Sequence, residues 1–82
     1  MPAVHVLLFA AHREAAGRSA VDLTLPEGAT VGDLRRALAA AVPALAKAAL
    51  STVVAVDGEF SGDAAVLRRG ARVAVFPPVA GG

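Results

Sequence analysis

Thr30-Val31-Gly32-Asp33-Leu34-Arg35-Arg36-Ala37-Leu38-Ala39-Ala40-Ala41-Val42 is the stretch on which the fold turns. Thr30 followed three residues later by Asp33 is a capping-box-like signal that starts a helix near Val31. Val31, Leu34, Leu38, Ala41, Val42 and Leu45 recur at helical spacing, with Asp33, Arg35 and Arg36 on the outer side, so one apolar stripe faces a sheet. Pro43 has no amide hydrogen to donate and kinks or ends the helix.

Strands are expected on both sides of this helix. Residues 4–10 are β-branched and apolar with near alternation: Val4, Val6 and Leu8 share one parity, and His5, Leu7 and Phe9 the other. Ala11 to Ala16 form a single short helical turn that stops at Gly17. Residues 20–25 alternate cleanly, with Val21, Leu23 and Leu25 inward, and pair with the first strand as a hairpin. Past the helix, residues 52–56 give a third strand, and Asp57-Gly58 is a two-residue hairpin turn. Residues 67–70 turn again, and Arg72 to Phe76 form the last strand, closed by Pro77-Pro78. Two strands before and two after one packed helix predict an α+β fold, a β-grasp roll with a mixed sheet and one main helix on one face. A ferredoxin-like fold would need a second full helix, for which residues 61–70 are too short and too rich in Gly.

The 82 residues allow one domain, and with 56% apolar residues, many of them Ala, its core is thin and aliphatic. With no Cys there are no disulfides, thiolate clusters, zinc ribbons or cysteine nucleophiles, so any sulfur chemistry must use another atom. Eight basic against seven acidic residues are too balanced for a phosphate-tracking nucleic-acid binder. His5 and Arg13 interrupt the N-terminal apolar stretch, and no run approaches the roughly 20 residues that cross a bilayer, so a soluble cytoplasmic protein is expected, with no nucleic-acid or membrane partner. His5 and His12 are not spaced as a metal pair and are expected in solvated or edge roles; no metal site is visible. Arg68, Arg69 and Arg72 read as a solvated face or as steering for an acidic partner, Asp33 as a cap and Asp57 as a turn residue.

The sequence closes on Phe76-Pro77-Pro78-Val79-Ala80-Gly81-Gly82. Two prolines hold the departing backbone near polyproline geometry, which divides the chain into a domain at 1–76 and a flexible tail at 77–82. Five residues past Pro77 reach roughly 16 Å at about 3.3 Å each, enough to enter a partner's active site. Glycines without Cβ thread a narrow channel and open the last carbonyl to attack from either side. A carboxylate resists nucleophiles until it is activated; ATP can convert it to an acyl-adenylate, which a sulfur nucleophile displaces to leave a thiocarboxylate on Gly82. A lone Gly-Gly would better fit a frayed terminus, but the whole seven-residue run favours a working tail.

With Val6-Leu7-Leu8-Phe9-Ala10, Arg13-Glu14, Gly17, Thr30-Val31, Leu34, Ala55-Val56, Gly70 and the closing run from Phe76 to Gly82, the chain resembles the MoaD/ThiS family of ubiquitin-like sulfur carriers over essentially its whole length. Within that family it is most similar to the molybdopterin synthase branch. Asp57 departs from the pattern, where family members commonly carry Asn. The resemblance implies that a ubiquitin-activating-like adenylyltransferase of the MoeB type adenylates Gly82, that a sulfurtransferase system supplies sulfur, and that a large synthase subunit of the MoaE type accepts the tail. Sulfur then passes from the Gly82 thiocarboxylate to a pterin precursor. It implies no bound cofactor on this chain; ATP is used by the activating partner.

Strand parity adds a docking surface. If the helix covers the face of Val6, Leu8, Val73 and Val75, then Phe9 and Phe76 lie on the uncovered face. Phe60 either completes this patch or plugs the core, and Arg13 matches a family interface position. Pro77, Pro78, Val79, Ala80 and Gly81 would be gripped with the tail. Thiamine- or cysteine-forming sulfur carriers, a ubiquitin-like modifier and an inert interaction module are the alternatives; Lys47, the only lysine, makes a self-polymerising modifier less attractive.

Overall fold

In the computed structural model, which describes residues 3–77, the expected alternation resolves into a sheet with one buried face. Strand β1 (Ala3–Leu8) buries Val4, Val6 and Leu8 and exposes the residues between them. It stops two residues short of the expected end, because Ala10 takes a positive φ of 50° and opens helix α1 (Ala10–Ala16). Gly17, at φ 74°, caps that helix by donating its N–H to the Arg13 carbonyl. Strand β2 (Ala20–Thr24) runs antiparallel to β1, with Val21 against Val6 and Leu23 against Val4. The two are therefore adjacent as expected, and the short helical turn expected in their connection is the seven-residue α1.

Helix α2 (Val31–Ala41) begins with a complete capping box. The Thr30 hydroxyl accepts from the Asp33 N–H at 3.2 Å, and the Asp33 carboxylate accepts from the Thr30 N–H at 2.9 Å. Two more of the first-turn donors, the N–H groups of Val31 and Gly32, reach the carbonyls of Ala65 and Asp63 in the irregular stretch before the last strand. That stretch thereby seals the start of the helix. Val31, Leu34 and Leu38 are buried, and the stripe continues through Val42 and Leu45 in the 3₁₀ turn at Pro43–Leu45.

Two expectations for this helix are corrected. Ala41 is exposed, because the helix ends there and Val42 turns the chain inward. Arg35 is not on the outer side: its side chain is only 14% exposed and lies along the protein, as a long side chain with an apolar stem can. Its guanidinium donates to Asp63 at 2.6 Å and to the carbonyls of Ala49 and Thr52 at 3.1 and 2.6 Å.

After a second 3₁₀ turn (Ala48–Leu50), strand β3 (Val53–Val56) leads through Asp57-Gly58 into the two-residue strand β4 (Glu59–Phe60). Positive φ at both turn residues, 52° and 86°, is the geometry of a type I′ hairpin. Strand β5 (Arg72–Phe76) then enters the middle of the sheet. The order is β2-β1-β5-β3-β4, with β1 and β5 parallel and every other pair antiparallel. There are thus five strands where four were expected, since β4 is too short to show a period.

The core lies between α2 and one sheet face, and its fully buried large side chains are Val6, Leu8, Val31, Leu34, Leu38, Leu45, Val54, Val73 and Val75. Burying each contributes about 1.5–3 kcal/mol of transfer free energy. One main helix across a mixed five-stranded sheet is the ubiquitin-like β-grasp arrangement. Among the described residues, no helix is long and apolar enough to cross a membrane.

Candidate functional site

The sheet face opposite α2 is ordered in rows by strand register. Leu7 of β1 lies beside Ala74 of β5, Ala74 beside Ala55 of β3, and Ala55 beside Phe60 of β4. Two alanines at the centre leave a shallow hollow, walled by Leu7, Phe60 and Phe76. Two residue pairs further along, Phe76 is opposite Val53, and a second, almost wholly apolar groove runs between Ala10, Val53, Phe60, Phe76 and Pro77. Phe76 is the wall between the two.

Strand parity assigns Phe9 and Phe76 to this face, and they are there. Neither is fully open: their rings stack at 4.8 Å between centroids and 14° between planes, leaving Phe9 38% exposed and Phe76 half-buried. Phe60 is 79% exposed, so it is a surface residue and not a core plug. The patch also includes Leu7, at 40% exposure. Arg13 is exposed in the last turn of α1, with no carboxylate within ion-pair distance among the described residues. Pro77 lines the second groove. Pro78, Val79, Ala80, Gly81 and Gly82 lie outside the described residues.

The other end of the same face is polar. His5 bonds Asp22 across the strand pair at 2.6 Å, and Arg72 is beside His5 in the next strand. Asp57 accepts from the Arg72 N–H at 2.9 Å and from the Arg68 guanidinium at 3.1 Å. The backbone hydrogen bond, aided by Arg68, holds its carboxyl below the usual aspartate value. Asp33 is lowered in the same way, first by the Thr30 N–H and then by Arg36. Arg69 pairs with Glu27 at 2.6 Å. The arginine cluster is therefore largely engaged with local carboxylates. Among the described residues, no group of three or more His, Asp and Glu side chains stands close enough to hold a metal ion.

His12 is a correction. Expected in a solvated or edge role, it is instead 4% exposed and the one buried residue of α1. Its Nε2 lies 2.8 Å from the hydroxyl of Thr52, itself 3% exposed, and that hydroxyl donates to the Phe76 carbonyl at 2.7 Å. A seven-residue helix is too short for periodicity to assign its buried side, and in the sequence Thr52 is visible only as the start of a strand.

The open face thus offers an aromatic and aliphatic surface ending at Phe76-Pro77, from which the Gly-Gly segment continues in sequence. The chain is 37% identical over 81 residues to the molybdopterin synthase sulfur carrier subunit of Chlamydomonas reinhardtii, covering 96% of this chain and 98% of that one. It is 32% identical over 79 residues to the Arabidopsis thaliana protein of the same name, covering 96% and 82%. Among solved structures, the small archaeal modifier protein 1 of H. volcanii superposes with a TM-score of 0.84 at 30% identity, covering 96% of this chain and all of that one. The model of the ThiS family matches residues 6–82, and on that near-complete match the chain belongs to the ThiS family.

Proposed function

We propose that this chain is the sulfur carrier subunit of a molybdopterin synthase, with residues 1–76 as a docking body and 77–82 as the tail that carries sulfur. The observation that carries the proposal is the uncovered row of Leu7, Phe9, Phe60 and Phe76, which leads directly to Pro77 and the Gly-Gly terminus. The names of the plant and algal relatives support the molybdopterin assignment.

In this reading a carboxylate oxygen of Gly82 attacks the α-phosphorus of ATP on a MoeB-like adenylyltransferase, and pyrophosphate leaves. Hydrosulfide, or its equivalent from a sulfurtransferase, attacks the acyl carbon, and AMP departs with the oxygen. The terminus is left as a thiocarboxylate, a better nucleophile than the carboxylate it replaces. The MoaE-like large subunit takes the open face through Phe9, Phe60 and Phe76, with Arg13 paired to one of its carboxylates. It draws Pro77, Pro78, Val79, Ala80 and Gly81 into its channel. Each loaded tail brings one sulfur atom, so a dithiolene needs two. In this reading the chain binds no cofactor of its own, ATP is used by the activating partner, and the carrier works in the cytoplasm.

Intact mass spectrometry tests this. Incubation with ATP, the activating enzyme and sodium sulfide should add about 16 Da, the difference between sulfur and oxygen; an unchanged mass refutes the carrier role. A modifier reading is favoured by the likeness to small archaeal modifier protein 1. It predicts recovery of Gly82 joined to lysines of other proteins.

A further inference from the structure

Three elements converge on one backbone oxygen at the point where the tail begins. Thr52 precedes β3, His12 comes from α1, and the oxygen is the carbonyl of Phe76, the last residue of β5. Thr52 has one hydroxyl hydrogen, and the carbonyl can only accept, so that hydrogen lies between Thr52 and Phe76. Thr52 Oγ1 must then accept from His12, which fixes a hydrogen on His12 Nε2. Both neutral and charged imidazole can meet that requirement. The Thr52 backbone is itself held, since its carbonyl accepts from Arg35 at 2.6 Å.

The Phe76–Pro77 peptide has no N–H, so its carbonyl is the only polar atom by which the plane of that peptide can be held, and it accepts from the Val53 N–H in the β3–β5 ladder as well as from Thr52. The ring of Pro77 sets its own φ, the proline after it restricts ψ at Pro77, and the Pro78 ring sets the next φ. Once the Phe76 carbonyl is fixed, the first unrestricted backbone torsion in the sequence is ψ of Pro78.

We propose that His12 and Thr52 are positioning residues that aim the C-terminal segment, by adding a buried side-chain anchor to the ladder bond from Val53 and so locking the Phe76–Pro77 peptide plane at the end of β5. Their effect on the reaction rests on the sulfur-carrier reading. A tail aimed in advance loses less freedom on entering a partner, so the pair acts on recognition and not on the chemical step.

The test separates aiming from mere stability. Thr52→Val removes the hydroxyl but strands the His12 donor in the interior, whereas His12→Leu combined with Thr52→Val leaves an apolar pair with no stranded donor. Thr52→Ser keeps the hydroxyl. Thermal melts should show the double variant recovering most of the stability lost in Thr52→Val. In ATP–pyrophosphate exchange with the activating enzyme, both variants lacking the hydroxyl should raise KM about three- to ten-fold with kcat within two-fold, and Thr52→Ser should return KM to wild type. A double variant that recovers KM along with its melting temperature overturns the proposal. Residual dipolar couplings of the Val79 amide give a readout independent of the chemistry. They should change in both hydroxyl-free variants and not in Thr52→Ser; unchanged couplings overturn the aiming role even where exchange is absent in wild type, an outcome that would refute the sulfur-carrier reading separately.

Discussion

Phe9 and Phe76 stand near opposite ends of the sequence, yet their rings stack at 4.8 Å because β1 and β5 run side by side and parallel. The stack holds two aromatic side chains in place before any partner arrives, so docking against them costs little further ordering.

Phe60 is the cleanest probe of this surface. At 79% exposure it contributes little to the fold, so Phe60→Ala should change unfolding free energy by less than about 0.5 kcal/mol. The same substitution should weaken binding to the large synthase subunit by about 1–2 kcal/mol in calorimetric titration. Phe76→Ala should lower both quantities, since it also breaks the stack, worth about 0.5–1.5 kcal/mol. If neither substitution alters affinity, the open face is not the docking surface.

Thr30→Ala removes the acceptor for the Asp33 N–H and should cost about 1 kcal/mol in chemical denaturation. The paired carboxylate predicts a pH dependence. Asp33 and Asp57 both bind their protons less tightly in the folded state than an unperturbed aspartate, whose value is 3.8. Their contribution is therefore fully present above about pH 4 and is lost as pH falls through that value toward the lower folded ones. Replacing both with Asn should make the acid limb of the stability curve shallower; an unchanged limb would assign acid sensitivity to other groups.

The Asp57-Gly58 turn supplies a third expectation. A Cβ built on Gly58 meets nothing within 4 Å, so the cost of Gly58→Ala comes from its φ of 86° alone and should be about 1–2 kcal/mol. Asp57→Asn tolerates the left-handed conformation and keeps an acceptor for the Arg72 N–H, so at pH 7 it should lose only the charge-assisted part of the bonds from Arg72 and Arg68 and cost less than Gly58→Ala. A Gly58→Ala protein as stable as wild type would show that the turn relaxes to another type.

Removing Gly82 should leave the melting temperature unchanged, because among the described residues the core cluster reaches no further along the chain than Val75. Molybdopterin formation in a reconstituted synthase should disappear. Retained synthesis would remove Gly82 from the mechanism.

The main elements are legible in the sequence because their periods are long enough to read. Six residues of β1 alternate, the capping box marks the first turn of α2, and Asp-Gly selects the hairpin. The same parity puts Phe9 and Phe76 on one face, although only the parallel register shows that they touch. Arg35 departs from its expected place because helical spacing locates a Cβ and says nothing of where a long, flexible stem carries its guanidinium. The bond between His12 and Thr52 is invisible to periodicity because it spans forty positions and joins a short helix to a strand end, neither of which announces a buried side. The partner-facing role proposed for the surface rests on resemblance, since exposure alone does not identify what covers it.

The central place of β5 has a mechanical consequence. A pull along the C-terminal segment, such as withdrawal from a tight channel, loads β5 lengthwise against β1 on one flank and β3 on the other. Hydrogen bonds on both flanks then share the strain at once, whereas an edge strand such as β4 would unzip from its single neighbour one bond at a time.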